Sequence, residues 1–231
     1  MLDSGQSRYL GGVLRFRVGD SITLFDGTGG ECEAILVSLG KNGAEVETGE
    51  HRTRSVESRL TIQLVQGISR GDRMDLLVQK ATELGVTRIT PVLSVRSVVR
   101  IDAKRAASRR ERWQKIAQSA CEQCGRNVVP RVDDVVKLND WHNDNPASGL
   151  PRLVLHPQGR SNLSSVKCPE KGVTVLIGPE GGFSEAEYNN AVEAGFESIC
   201  LGPRVLRTET AAIAMVAAMQ TLWGDLTESS A

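Results

Sequence analysis

Aromatic residues are scarce in this chain: three Trp, two Tyr and four Phe among 231 residues, or 4%. That argues against nucleic-acid recognition by a stacking platform, which needs several rings presented in a row. Net charge is absent as well, with 28 Lys and Arg against 28 Asp and Glu. Only the distribution of charge can therefore point to a polyanionic partner. No apolar run reaches the roughly 20 residues of a membrane span, and the first residues lack the apolar stretch of a secretion signal. The expectation is a cytoplasmic protein with no membrane partner. The five cysteines, Cys32, Cys121, Cys124, Cys168 and Cys200, are odd in number and scattered, which argues against a disulfide framework. Cys121 and Cys124 form a C-x-x-C with no second pair to complete a zinc site. His51, His142 and His156 show no ligand spacing. No metal is expected.

What is present is a 40% hydrophobic chain, enough for a core, and of a length that allows one large domain or two small ones. Two stretches stand out. Thr174-Val175-Leu176-Ile177 is an apolar, partly β-branched run that reads as a buried strand. It breaks at Gly178-Pro179-Glu180-Gly181-Gly182. A helix then starts, with Ser184 as cap, Glu187 completing a capping box, and Phe183 and Tyr188 placed as a hydrophobic staple. The second stretch repeats the plan: a strand from Ser198 to Leu201, a break at Gly202-Pro203, and a helix from about Thr208. Either loop alone is equally well read as an ordinary strand-to-helix turn. Two such loops at strand carboxyl ends make a ligand crevice in an α/β sheet.

Together, Ile177 to Phe183 and Leu201-Gly202-Pro203-Arg204-Val205-Leu206-Arg207-Thr208-Glu209-Thr210-Ala211 closely resemble the signature of the RsmE family. These are 16S ribosomal RNA uracil-N3 methyltransferases of the SPOUT superfamily. Lys80 to Val86 and Glu122 to Asn127 resemble the family too, and the likeness covers nearly all of the chain from Gln6. It implies an α/β fold: a SPOUT-type trefoil-knot methyltransferase domain, placed at residues 59–226, preceded by a small PUA-like β-barrel RNA-binding domain at 1–58. It further implies S-adenosylmethionine as cofactor, 16S ribosomal RNA or the small ribosomal subunit as partner, and a homodimer. The start departs from the family pattern. Members carry a further N-terminal stretch, and histidines where this chain has Arg8-Tyr9, which bears on the completeness of the barrel.

In chain order, Ser21 to Phe25, Glu31 to Val37 and Ala44 to Thr48 read as strands of a β domain spanning Leu2 to about Arg54. Asp26 to Gly30 and Gly40 to Gly43 are the turns. After a linker at His51 to Arg59 come a strand at Leu60 to Val65, a turn at Gly67 to Gly71, and a helix with Met74, Leu77, Ala81 and Leu84 on one face, stopped by Gly85. Arg88 to Leu93 is the next strand. From Arg88 to Lys115 nine basic residues stand against Asp102 and Glu111, and a helix runs from past Lys104 to Cys124 with Trp113, Ile116, Ala117, Ala120 and Cys124 as its buried stripe. A solvated helix face is the plain reading of such a charge run. Acids are too few for intrahelical pairing, so a phosphate-binding surface is favoured, with Arg96, Arg100, Arg105, Arg109, Arg110, Arg112 and Lys115 as its residues. Leu138 to Trp141 starts a short helix, and Arg152 to Leu155 is a strand ending at His156-Pro157. The last helix carries Ala212, Met215, Val216, Met219, Leu222 and Trp223, a stripe that suits packing on the sheet and, in part, a second subunit.

The candidate site follows. Backbone groups of Ile177, Gly178, Leu201 and Leu206 are expected to hold the cofactor, with Gly181 and Gly182 giving clearance. Leu155, His156, Pro179, Glu180, Gly202, Arg204, Val205 and Thr208 complete the set. His156 is equally a satisfied histidine in a turn. Uracil N3 methylation needs a base, or a donor that stabilises charge on the flanking carbonyls. Arg207 and Glu209 offer both, although Glu209 in a first helical turn also suits the helix dipole. Arg126, in a glycine turn that can equally be a plain helix cap, is the third catalytic candidate and an RNA contact. Against the enzyme stand two alternatives: a non-catalytic RNA-binding or ribosome-assembly factor, and a SPOUT methyltransferase with another RNA target.

Overall fold

The computed structural model describes residues 1–97, 102–146 and 149–228; Arg100 lies outside the described residues. The chain forms two compact units, Met1–Val56 with Gly125–Val128, and Glu57–Cys124 with Val129–Ala231.

The first unit opens with helix, where a β domain suggested extended chain. Helix α1 (Ser4–Arg8) runs into a π-helical turn at Tyr9–Val13. Its cause is local. Asp3 accepts from the amides of Gly5 and Gln6, and the Gln6 side chain accepts from the Asp3 amide, a reciprocal box that satisfies the helix's free N–H groups. Strands β1 (Ser21–Leu24), β2 (Glu31–Gly40) and β3 (Gly43–Arg52) then pair antiparallel in that order. In the first link the Thr28 amide and hydroxyl both donate to Asp26, which holds its carboxyl below the usual range. Period-two alternation on β2 buries Ala34 and Leu36 against Leu10, Ile22 and Ala44. Among the described residues this sheet has three strands, extended by a single bridge between Leu2 and Ala44.

The second unit is a parallel sheet covered on both faces. Its elements are β4 (Ile62–Gly67), α2 (Arg73–Glu83), β5 (Arg88–Leu93), α3 (Ala103–Cys124), the short β6 (Arg131–Val132) and β7 (Val136–Lys137), and α4 (Leu138–Asp144). After them come β8 (Arg152–Leu155), the short β9 (Ser161–Asn162), β10 (Val173–Ile177), α5 (Glu185–Glu193), β11 (Glu197–Cys200) and α6 (Thr208–Trp223). The strand order is β6-β5-β4-β10-β8-β11-β9, with β7 also on β5, and every pairing is parallel. Central β10 is buried throughout, as a strand covered on both faces must be. Its alternation decides the layers. Val173, Val175 and Ile177 join the core of Leu77, Trp113, Ala117, Met215 and Met219 from α2, α3 and α6. Leu176 faces Trp141, Phe183, Ala191 and Phe196 on the opposite side.

Two packing details differ from expectation. On α3 the buried residue of the C-x-x-C is Cys121, and Cys124 is only half-buried. Leu222 on α6 is 50% exposed. Gln220, two residues back, is fully buried instead, and its side chain accepts from the Ser58 hydroxyl and donates to the Leu84 carbonyl.

Candidate active site

The carboxyl ends of β8, β10 and β11 open into one cavity of about 620 Å³, within the size range of small-molecule sites. The loop after β10 forms one wall. Ser184 and Glu187 make the expected capping box at the start of α5. Glu187, 4% exposed, does more: its Oε1 accepts the Val95 amide at 2.7 Å. That bond pulls the segment after β5 over the loop, where Arg96 Nη1 reaches the Gly181 carbonyl at 3.4 Å. Arg96 was expected on an RNA surface; it lines this cavity.

The loop after β11 forms the opposite wall, and a buried polar link joins the two. Thr208 Oγ1 donates to the Gly178 carbonyl at 2.5 Å and accepts from Gln66 Nε2 at 3.0 Å. Gln66, at the end of β4, is fully buried. The Thr208 hydroxyl is thus engaged within the protein. The glycines hold for reasons of their own as well. A Cβ on Gly178 would stand 3.2 Å from Gly182 backbone, so a side chain there would crowd the loop itself. Gly182 has open space but φ of +65°, a left-handed conformation that side chains resist.

All fourteen residues expected to hold a cofactor line this single cavity, from Leu155 and His156 through Ile177 to Gly182 and on to Leu201, Gly202, Arg204, Val205, Leu206 and Thr208. Arg207 is there too. It is the exposed N-cap residue of α6, with no capping bond from its side chain. Glu209 is not among the lining residues. It is 8% exposed, its Oε1 lies 3.7 Å from Arg73 Nε, and its Oε2 has no hydrogen-bond partner. Arg126 is 4% exposed and belongs to the first unit, where neighbouring Asn127 donates to the Arg54 carbonyl at 2.6 Å. So buried an arginine has little surface to offer RNA.

His156 stacks on Tyr188 with ring centroids 4.4 Å apart, and burial lowers its pKa. The Gln158 amide donates to His156 Nδ1 at 3.2 Å, which leaves the proton of the neutral ring on Nε2. It therefore offers the cavity a donor, not a base.

The basic stretch is more engaged than its sequence shows, because its acidic partners come from other elements. Arg112 pairs with Asp75 of α2, which raises its pKa; Arg88 meets Asp133 at 2.7 Å; Arg110 donates to the Val132 carbonyl. Arg105 has a local partner, Asp102, within the stretch itself. Lys104, Arg109 and Lys115 make no ion pair among the described residues.

Sequence reasoning missed Arg73, Pro157, Phe183 and Ala211 of the lining. Arg73 was findable in principle. It follows the loop after β4, a third strand carboxyl end, but that β4 adjoins β10 is a fact of strand order.

A parallel sheet with a ligand-sized cleft over the carboxyl ends of its central strands, guarded by two Gly-Pro loops, defines an α/β domain built for a small cofactor. A family model described as an RNA methyltransferase domain matches residues 56–220, and one described as an RNA methyltransferase PUA domain matches 2–48. The chain belongs to the ribosomal RNA small subunit methyltransferase E family. It is 32% identical to that protein from Buchnera aphidicola (Acyrthosiphon pisum), covering 97% of this chain and 88% of the relative. Against the Bacillus subtilis protein it is 36% identical, covering 90% and 84%. A crystal structure of the Neisseria gonorrhoeae protein bound to S-adenosyl methionine is 47% identical, with a TM-score of 0.93 over 98% of this chain and 93% of that one.

Proposed function

We propose that the chain transfers a methyl group from S-adenosylmethionine to N3 of a uridine in 16S ribosomal RNA. The supporting observation is the cavity itself: both signature loops converge on it, in a chain of the small subunit methyltransferase E family. The residues fit the cofactor. Leu155, Ile177, Leu201, Leu206 and Ala211 supply apolar surface for a purine, and the loop backbone at Gly178 to Gly182 and Leu201 to Leu206, which lines the same cavity, supplies polar groups.

When bound, S-adenosylmethionine supplies an activated methyl group. What remains for the protein is to orient the acceptor and favour ionisation of N3, whose charge spreads onto the flanking carbonyl oxygens. The lining has four guanidiniums, Arg73, Arg96, Arg204 and Arg207, and one carboxylate, Glu180. Such a wall works by preorganised positive charge. Arg204 and Arg207 are its exposed donors on the second loop, and solvent takes the proton. With its Nδ1 accepting from Gln158 and Glu209 buried beside Arg73, neither His156 nor Glu209 is placed as the base.

The enzyme acts in the cytoplasm, on the small ribosomal subunit or its RNA, through a trefoil-knotted domain and as a homodimer. Leu222 near the end of the last helix and Leu226 just beyond it, 50% and 52% exposed, and Val205 in the loop before it, 82% exposed, support a second subunit there. The test is mass spectrometry of 16S RNA nucleosides from cells with and without the gene: N3-methyluridine must disappear with the gene. A parallel check is melting of the purified protein with S-adenosylmethionine. A ligand at a hundred times its Kd stabilises the folded state by about 2.7 kcal/mol, and no shift would oppose the assignment.

A further inference from the structure

The cavity has four guanidiniums, but they are not equivalent. Arg204 and Arg207 are exposed and make no side-chain hydrogen bond among the described residues. Arg96 makes one long bond. Arg73 is held from two sides. Its Nη1 donates to Glu180 Oε1 at 3.0 Å, and its Nε lies 3.7 Å from Glu209 Oε1. Glu180 is itself fixed by the Arg70 amide at 2.8 Å. Burial pushes the Glu180 carboxyl up, but these donors win and hold it below the usual range, so it stays ionised. Arg73 Nη2 has no partner among the described residues, and the side chain lines the cavity while remaining 43% exposed.

A guanidinium fixed before the acceptor arrives has already given up its rotamer freedom, and a preorganised donor stabilises developing charge better than a mobile one. The two carboxylates leave this trio with one net negative charge. Arg96, Arg204 and Arg207 outweigh it, so the cleft keeps a positive field. Glu209 also gains a purpose. Buried and with one oxygen unpartnered, it is costly for the fold, and orienting Arg73 is a reason to keep it.

We propose that Arg73 is the catalytic guanidinium of this enzyme, hydrogen-bonding a uracil carbonyl oxygen as N3 ionises, with Glu180 and Glu209 as positioning residues that act through it. In that step N3 gives its proton to water, the electron pair of the N–H bond stays on the ring and spreads to the carbonyl oxygens, and Arg73 remains protonated throughout. The inference rests on the uracil-N3 reading above.

The test uses the full-length protein, S-adenosylmethionine and unmethylated small ribosomal subunits. Wild type is measured first, with its product identified as the N3-methyl nucleoside; any other product overturns the uracil reading, and this inference with it, before a variant is made. Arg73→Met should then lower the single-turnover rate at neutral pH by about a hundredfold or more, and the rate should climb with pH because the base then ionises unaided. Arg73→Lys should fall between, and Glu209→Gln, which keeps shape and an acceptor, should lose less than Arg73→Met. Calorimetry should give each variant a cofactor Kd within about threefold of wild type. The opposing result is equally definite. If cofactor affinity falls in step with the rate while the pH profile keeps its wild-type shape, Arg73 only ties the loops together. If Glu209→Gln is the most damaged variant, Glu209 acts directly and the assignment is wrong.

Discussion

Replacing Thr208 with Val removes one hydroxyl and keeps the shape, which isolates the buried link between the two loops. In the native protein that hydroxyl donates to the Gly178 carbonyl at 2.5 Å and accepts from Gln66 Nε2 at 3.0 Å. Without it, Gln66 Nε2 keeps the Gly67 carbonyl at 3.0 Å, and the Gly178 carbonyl keeps only Gln66, at 3.5 Å. Water cannot easily replace the missing partner, since Gln66 is 0% and Thr208 6% exposed. A buried group left unsatisfied costs about 1–3 kcal/mol. Taking the middle of that range, about 2 kcal/mol, and about 2–4 °C per kcal/mol for a protein of this size, the melting temperature should drop by about 4–8 °C. Thr208→Ser keeps both bonds and loses one methyl, so its cost should be about 0.8 kcal/mol. Thermal unfolding of the ligand-free proteins should therefore rank wild type, then Ser, then Val. Calorimetry should find cofactor affinity lowered in Val and retained in Ser, because the anchored Gly178 is part of the cavity lining. A Val variant melting within about a degree of wild type would refute the argument, and would mean that the loops are held by their packing alone.

Further expectations concern surface charge, pH and backbone. Changing Lys104, Arg109 and Lys115 together to Ala should weaken RNA binding and reduce its salt slope by about 0.7 for each phosphate that is no longer neutralised, with melting unchanged; Arg112→Ala, which removes the partner of Asp75, should instead lower the melting temperature. An unchanged salt slope in the triple variant would assign Lys104, Arg109 and Lys115 to a solvated face. His142 and His156 both have pKa values lowered, in each case by burial, with Arg152 adding to the effect on His142. The unfolded chain then binds protons that the native state does not, so stability should be full above the ordinary value of 6.5 and fall as pH drops below it. His142→Phe should flatten that fall in thermal melts taken between neutral and mildly acid pH, and an unaltered slope would show that His142 does not contribute. Gly182→Ala should cost about 1–2 kcal/mol through its left-handed backbone, seen in urea unfolding of the ligand-free protein; no loss would mean that the loop relaxes to a negative φ.

Much of the fold was legible from local pattern. The run at Thr174 to Ile177, the Ser184 and Glu187 box, and the helix from Thr208 depend on neighbours within a turn or two, and the structure has them there, the strand starting one residue earlier at Val173. The helix at Ser4 was equally local, and its Asp3 to Gln6 box was overlooked. Charge in the basic stretch from Arg88 to Lys115 was harder to interpret, because the partners of Arg88 and Arg112 are Asp133 and Asp75, 45 and 37 residues away.

The residue types of the cleft were set by the two glycine-rich motifs, since backbone breaks of that kind are written into short stretches of chain. Their convergence was decided by strand order: β8, β10 and β11 open together because they are parallel neighbours. The same order sets β4 beside β10, which brings Gln66 under Thr208 and Arg73 to Glu180. Arg207 and Glu209, two residues apart on the chain, are separated at the start of α6: Arg207 lines the cavity, and Glu209 does not but lies against Arg73. Arg207 is still extended chain, at φ −64° and ψ 151°, whereas Glu209 is already in the first turn of α6, so the two side chains leave the backbone differently, and only packing determines which of them meets the ligand.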